Sequence, residues 1–317
     1  MKPMNHLKSI FLASALISGI SITAYAEINV VSSVKPLHSL VSGVMEGVAR
    51  PDLIVKGSAS PHTYSLRPSQ ARQLEDADLV FWIGHELESF LEQPLEAIAT
   101  KGHIVELIDS SKLKKIKMRE GGMFDAHAHD DHDEHEGHDD HGHGEFDVHV
   151  WLDPENAKVL VDEIKLALIE LDPVNSSKYE SNSNKMNMKL DQLIDEVSKK
   201  LESEQGKGYV VFHDAYQYFE QRFGMSAVGS ITVSPEVVPG ANRIRELKNK
   251  INELNAHCVF SEPQFEPKLV STVVEGTQAN TGVLDPLGAS IKDGPELYFT
   301  LIRNMADSLH ECLSKKD

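Results

Sequence analysis

Histidine and carboxylate side chains, which are common protein ligands of metal ions, are concentrated in one segment of the chain. Residues 125–147 read DAHAHDDHDEHEGHDDHGHGEFD, with seven histidines, ten carboxylates and no Lys or Arg. The segment has almost no apolar side chains and its carboxylates repel one another, so we expect a disordered loop. Histidine-rich tracts bind metal through changing sets of ligands. We therefore expect an auxiliary, weaker metal site formed by its histidines, which are His127, His129, His132, His135, His138, His141 and His143.

A second set of possible ligands lies where apolar runs of the sequence end. His62 follows LIVKGSASP, His213 closes GYVVFHD, and Asp285 stands in GVLDP, while His149 lies among apolar residues in VHVWLDP. In open α/β sheets, ligands collect beyond the carboxyl ends of the strands. Imidazole suits zinc, and an added carboxylate also admits manganese or iron. The sequence therefore predicts a metal site made by these four residues.

The elements that must position these residues follow a repeated pattern of strand and helix. Short apolar, β-branched runs alternate with segments of helical spacing, which is typical of parallel sheets covered by helices. The predicted strands are 28–34, 52–57, 77–84 and 103–108 in the first half, and 208–214, 226–231, 257–264 and 281–286 in the second. We predict an α/β fold of two βα lobes with mainly parallel sheets and the metal in the cleft between them.

A helical connector is expected between the two lobes. Asp153-Pro154 and Asp172-Pro173 can each start a helix, because Asp caps a helix and Pro suits its first turn. Residues 176–204 contain no Gly or Pro and carry an apolar stripe at helical spacing. We assign residues 27–172 to the first lobe, 173–205 to a long rigid linking helix and 206–317 to the second lobe. A rigid connector favours a small rocking motion over a large hinge closure.

The N-terminal segment predicts export from the cytoplasm, and the charge and the cysteines limit the expected partners and bonds. Residues 1–26 combine a basic start, a short apolar run and the Ala24-Tyr25-Ala26 pattern, which predicts a secretory signal peptide. The formal net charge is -18, and no basic stripe exists that would neutralise phosphates, so we expect no nucleic-acid partner. The two cysteines, Cys258 and Cys312, favour one disulfide in an oxidising compartment, with two buried thiols as the alternative.

Several motifs, in order along the chain, carry a resemblance to a known family. They are GSASPHTYSLRPSQARQLEDADLVFWIG, VHVWLDP, GYVVFHDAYQYFEQRFG, VSPEVVPGANRIREL, CVFSEPQF and GVLDPLG. Together they make the chain similar to the ZnuA family of periplasmic zinc-binding proteins, the solute-binding components of high-affinity zinc ABC transporters. The similarity covers nearly all of the chain that follows the predicted signal peptide.

The resemblance implies a site, a disulfide and a role. The zinc-binding histidines of the family fall on His62, His149 and His213, and the cysteines of its disulfide fall on Cys258 and Cys312. Some zinc-specific members carry a glutamate immediately before the first histidine, whereas this chain has Pro61, so the fourth ligand is water, Asp285 or a histidine of the 125–147 segment. The implied protein is a periplasmic monomer that carries Zn²⁺ as its cargo. It would deliver zinc to a membrane permease, which a cytoplasmic ATPase drives.

Two alternatives stay open at this point. The same binding role could serve Mn²⁺ or Fe²⁺, because imidazoles with one carboxylate accommodate these ions too. Three histidines plus water also form a catalytic zinc set, but the sequence contains no H-E-x-x-H motif and no evident general base, so we do not expect an enzyme. We expect Glu262 or Asp214 to hold the second nitrogen of a ligand imidazole. Five further histidines beyond the predicted signal peptide are expected to be structural, namely His38, His85, His103, His257 and His310.

Overall fold

The computed structural model of the protein contains two lobes, each built on a four-stranded parallel sheet. It describes residues 28–99, 101–119, 124, 146–232, 240–254, 256–266 and 268–315. The predicted signal peptide and the seven histidines of the 125–147 segment lie outside these residues. The α/β fold with two parallel sheets, predicted from the alternating pattern, is confirmed.

The first lobe alternates strands and helices as the sequence predicts. Its elements are β1 (Val30–Ser32), α1 (Lys35–Val44), β2 (Asp52–Leu53), α2 (Pro68–Asp76), β3 (Leu79–Trp82), α3 (Ser89–Ala97) and β4 (His103–Glu106). The strand order is β2-β1-β3-β4, and all pairs are parallel. The side chains of β1 and β3 are all buried, since helices cover both faces of the sheet. The second strand is shorter than predicted, because pairing with β1 ends at Leu53.

The second lobe repeats this order. Its elements are β5 (Tyr209–Val211), α6 (Gln217–Phe223), β6 (Ala227–Ser230), α7 (Ala241–Glu253), β7 (Cys258–Ser261), α8 (Lys268–Val274), β8 (Asn280–Val283) and α9 (Leu297–Leu313). The strand order is β6-β5-β7-β8. The order reverses between β5 and β7, and the carboxyl ends of these two neighbours are the usual place for a ligand in such a sheet.

Two helices connect the lobes, namely α4 (Pro154–Leu171) and α5 (Ser176–Leu201). The Asp153 side chain accepts a hydrogen bond from the Glu155 amide and caps α4, as expected from the Asp-Pro pair. The predicted long linking helix is present as α5, which also packs on α9 of the second lobe. Three ion pairs join α5 to α9 and its N-cap residue: Lys189–Glu296, Glu196–Arg303 and Lys200–Asp307.

Helices from both lobes share one apolar core. Helices α1, α4, α5 and α9 pack on one another, and their apolar faces belong to the same buried cluster. A smaller cluster lies under α7 and α8 in the second lobe. Among the described residues, none of the helices combines the length and apolar character that a bilayer-spanning segment needs.

Glu88 is a fully buried carboxylate between β1 and β3, where the strand order of the first sheet reverses. Its two oxygens accept hydrogen bonds from the Ser33 hydroxyl and from the Ile83 and Gly84 amides, the latter two at 3.1 and 2.9 Å. Burial raises the pKa of Glu88 from 4.5 to about 7, although these hydrogen bonds oppose the shift.

The raised pKa of Glu88 predicts a stability that depends on pH. Between pH 4.5 and about 7 the unfolded chain releases a proton that the folded chain keeps, so the free energy of unfolding falls as pH rises. We expect Glu88→Gln to remove up to about 3 kcal/mol of this fall, which urea unfolding of the metal-free protein at several pH values would measure. Glu92→Gln, at an exposed position of the same helix, is the matched control. Parallel pH profiles of the Glu88→Gln variant and the unsubstituted protein would contradict this assignment.

The disulfide between Cys258 and Cys312 is present, and both cysteines are buried. Cys258 begins β7 and Cys312 lies near the end of α9, so the bond holds the C-terminal helix on the second sheet. The prediction of one disulfide is confirmed, and it joins residues 54 positions apart in sequence.

Removing the disulfide should destabilise the second lobe. In the loop-entropy description, a bridge of this span contributes about 4 kcal/mol. We expect the double substitution Cys258→Ala/Cys312→Ala to lower the free energy of unfolding by an amount of that order, measured by urea denaturation. Glu311→Ala, at the exposed position next to Cys312, should leave it nearly unchanged. A loss below about 1 kcal/mol for the double variant would show that the bridge does not stabilise the lobe.

Candidate metal site

Three histidines from both lobes meet at the cleft. His62 lies in a short 3₁₀ helix, Pro61–Thr63, that follows β2 in the first lobe. His149 immediately precedes another short 3₁₀ helix, Val150–Leu152, which leads into α4. His213 comes two residues after β5 of the second lobe, at the point where the strand order reverses. His62 and His213 thus follow strands as predicted, whereas His149 lies at a helix start rather than in a strand.

The three rings are close enough to hold one ion. Their centroids are 5.5 Å apart for His62 and His149, 5.7 Å for His62 and His213, and 5.3 Å for His149 and His213. One nitrogen from each ring lies within 4.8 Å of the others, and among the described residues this is the one such group of possible metal ligands. The Nε2 atoms of His149 and His213 are 3.4 Å apart. Two ligands of a tetrahedral zinc with bonds of 2.0–2.1 Å are separated by about 3.3–3.4 Å.

Two buried carboxylates orient two of these rings. Asp147 Oδ1 lies 2.7 Å from His149 Nδ1, and Glu262 Oε1 lies 2.7 Å from His213 Nδ1. A carboxylate at Nδ1 holds the proton there and leaves the lone pair on Nε2, as in the usual arrangement around a metal-binding histidine. The Nε2 atom of His62 is buried and has no hydrogen-bond partner. The Nε2 atoms of His149 and His213 can therefore act as ligands, and His62 offers one ring nitrogen within 4.8 Å of theirs.

Burial keeps two of the imidazoles uncharged. Burial, with His149 and His213 as neighbours, holds the pKa of His62 well below its ordinary value. Burial, together with the charge that His213 can carry, lowers the pKa of His149 to about 3. Burial alone would lower the pKa of His213, but the charge and hydrogen bond of Glu262 raise it. A neutral imidazole is the form that binds metal, so His62 and His149 are ready to act as ligands at neutral pH.

Asp285, the fourth predicted ligand, is not brought into this group. Its Oδ1 accepts hydrogen bonds from the side chain of Gln264 and from the amides of Leu287 and Gly288, at 2.9, 3.1 and 2.9 Å. Its Oδ2 accepts one from the Ala289 amide at 2.6 Å. These bonds shape the turn after β8, where Gly288 has a φ of 71° that favours glycine. That Asp285 binds the metal stays a prediction. Its hydrogen bonds show that it stabilises the turn after β8.

The space beside the rings is small. A cavity of about 10 Å³, which is about the room that one water molecule needs, adjoins all three histidines. Its walls include Pro61, Trp151, Phe265 and Leu287, so apolar side chains surround the polar ligands. The site can thus offer three nitrogens and one further position, in largely apolar surroundings.

Sequence reasoning found one of the two orienting carboxylates. Glu262 was one of two residues expected to hold an imidazole, and it does so for His213, whereas the other, Asp214, binds Arg119. Asp147 was assigned to the disordered loop, but the structure places it in the folded first lobe, where it is 2 % exposed. The signal that could have found it is its position two residues before His149, beside the apolar Val148. The five histidines expected to be structural are all outside the group of three.

Comparison with known proteins gives the site its context. Residues 30–312 match the ZnuA family model, described as "Zinc-uptake complex component A periplasmic". The chain belongs to the ZnuA family. It is 52% identical to the high-affinity zinc uptake system protein ZnuA of Brucella suis biovar 1, over 98% of this chain and 100% of that protein. The identity to the Yersinia pestis protein of the same name is 37%, over 97% of this chain and 98% of the other.

A solved structure of ZnuA has the same two-lobed fold as this chain. A crystal structure of ZnuA superposes with a TM-score of 0.75 at 22% sequence identity, covering 91% of this chain and 100% of that one. The family consists of periplasmic components of zinc uptake, so the predicted class, a binding protein of an ABC transporter rather than an enzyme, is confirmed. The ZnuA family also implies a permease and an ATPase as the transporter's other parts.

Proposed function

We propose that this chain captures Zn²⁺ in the cleft through His62, His149 and His213 and delivers it to the permease of a high-affinity zinc uptake transporter. The observation that carries this proposal is the convergence of three imidazoles, two with a carboxylate at Nδ1 and each with Nε2 free to bind. Family membership supports the transport role, since the relatives named above are zinc uptake proteins.

The donor set favours zinc over manganese or iron. Three nitrogen ligands and one further position make a four-coordinate site, which is the usual one for Zn²⁺. Manganese prefers more oxygen ligands in six-coordinate geometry. The carboxylate that could supply them, Asp285, is held by four hydrogen bonds in its own turn. We infer that the fourth position is taken by water or by a ligand from outside the described residues.

Capture and release follow from the position of the ligands. His62 and His149 belong to the first lobe and His213 to the second, so a bound ion joins the lobes and favours their closed arrangement. The permease would read this arrangement as the loaded state.

One chain supplies all three ligands and both orienting carboxylates, which supports action as a monomer. The N-terminal segment 1–26, with the pattern of a signal peptide, supports export to the periplasm.

A competition titration tests the proposal. We expect one tight Zn²⁺ per chain and Mn²⁺ binding at least about a hundredfold weaker, measured by calorimetry or with a competing fluorescent chelator. His213→Ala should abolish the tight site, because two imidazoles remain and Glu262 loses its partner. His103→Ala, at an exposed position in β4, is the control and should bind as the unsubstituted protein does. Equal affinity for Mn²⁺, or a tight site that survives His213→Ala, would overturn the assignment.

The histidine-rich segment should contribute weaker binding only. Sites formed by changing sets of histidines must be ordered for every ion, so each is expected to be weaker than a preformed site. We expect replacement of residues 125–145 by a short Gly-Ser linker to keep the tight ion and to remove the weaker ones in the same titration. The replacement must stop before Asp147, because that residue holds His149.

A matched variant separates the segment from the site. Adding Asp147→Ala to the replacement should weaken the tight ion by about 10–100-fold, which is the usual cost of losing such an orienting group. If the replacement of residues 125–145 alone removed the tight ion, the segment would have to supply an essential ligand, and the assignment of these histidines to an auxiliary role would be wrong.

A further inference from the structure

Helix α6 of the second lobe forms a seam with the first lobe beside the metal site. We use "seam" for the contacts of Asp214 and residues 217–222 with residues 114–119 and 147–153. The Tyr218 hydroxyl donates to the Asp147 carbonyl at 2.8 Å and accepts from the Ile116 amide at 3.1 Å. Gln217–Asp147, Lys114–Gln221 and Arg222–Asp153 are further seam contacts.

Arg119 is the most strongly paired side chain of this seam. Its guanidinium donates two parallel hydrogen bonds to Asp214, one of them from Nε at 3.0 Å, and a third from Nη1 to Glu220 at 2.7 Å. The Arg119, Asp214 and Glu220 side chains are 23%, 16% and 4% exposed, so the three charges are largely removed from water. Bidentate guanidinium–carboxylate pairs of this kind are both strong and geometrically specific.

The seam lies beside two of the three histidines. His149 and His213 are 6% and 5% exposed, and they come from opposite lobes. An ion held by both is bound to both lobes, and the seam keeps these two ligands together. Asp214 directly follows His213, and Asp147 holds His149, so the seam is attached to the site on both of its sides. Separation of the seam would expose both ligands at once.

We propose that Arg119 is the latch of the cleft: its paired contacts with Asp214 and Glu220 must break before the ion can leave, so it sets the rate of zinc release. This inference rests on the proposed capture of zinc. Arg119 touches none of the three histidines and acts as a positioning residue. Helices α1, α5 and α9 join the lobes by apolar packing, whereas the seam joins them beside the site largely through polar and charged side chains.

The latch acts on release more than on capture. Breaking a desolvated pair of opposite charges chiefly changes the rate at which partners separate, whereas their encounter depends on long-range charge. Loss of Arg119 also leaves Glu220 buried without its partner, which destabilises the closed seam further. The affinity for zinc should fall by the same factor as release accelerates, with the association rate nearly unchanged.

Stopped-flow release of Zn²⁺ into excess chelator tests this inference. We expect Arg119→Ala to accelerate release at least about tenfold, and Arg119→Lys, which keeps the charge but not the bidentate geometry, to give an intermediate rate. Lys114→Ala removes an exposed seam contact and should stay within about twofold of the unsubstituted protein. Because Arg119→Ala leaves buried carboxylates unpaired, Arg119→Gln/Glu220→Gln serves as a second variant with the same expected acceleration.

Hydrogen–deuterium exchange of the metal-free protein supplies an independent measurement. The Ile116 amide donates to the Tyr218 hydroxyl, and the Asp147 amide donates to the Ile116 carbonyl. Both amides should exchange faster in Arg119→Ala and in Arg119→Gln/Glu220→Gln. The latch would be overturned if the folded Arg119 variants released zinc within about twofold of the unsubstituted rate and these two amides exchanged at an unchanged rate. Failure of the unsubstituted protein to bind zinc tightly would instead reject the proposed function, and amide exchange would still decide whether Arg119 closes the seam.

Discussion

The hydrogen bond from His213 Nδ1 to Glu262 is the contact on which the site depends most. It joins the ends of β5 and β7, the two strands between which the order of the second sheet reverses. By fixing the proton on Nδ1 it directs Nε2 into the cleft, where His149, held in the same way by Asp147, directs its own. The fold thus supplies His149 and His213 each with a support from its own lobe, and the ion adds a further link between lobes that the shared core and the seam already join.

Much of this architecture could be predicted from the sequence, because the signals are local. Eight continuous apolar runs gave eight strands, and a segment free of Gly and Pro gave the long helix α5. His62 and His213 were found because they follow strands. The sequence signal for His149 is less local, because its position depends on packing before the start of α4 rather than on a strand.

The features that could not be predicted are contacts between distant segments. Asp147 belongs by composition to the acidic run, and only its burial against α6 shows that it is part of the fold. Asp285 has the residue type of a metal ligand, but the four donors that hold it come from Gln264 and the turn that it starts. The pairing of Arg119 with Asp214 and Glu220 spans about a hundred residues and leaves no pattern in the sequence.

The antiparallel bridge between Lys117 and Phe146 has a consequence for how such proteins can diverge. The bridge brings the two sides of the histidine-rich segment together at the lobe, so the chain between them closes on itself. Doubling the length of such a closed segment costs only about 0.6 kcal/mol in chain entropy. A change in the length of this segment is therefore expected to cost the fold little free energy, so the number of histidines can change without altering the contact between Asp147 and His149.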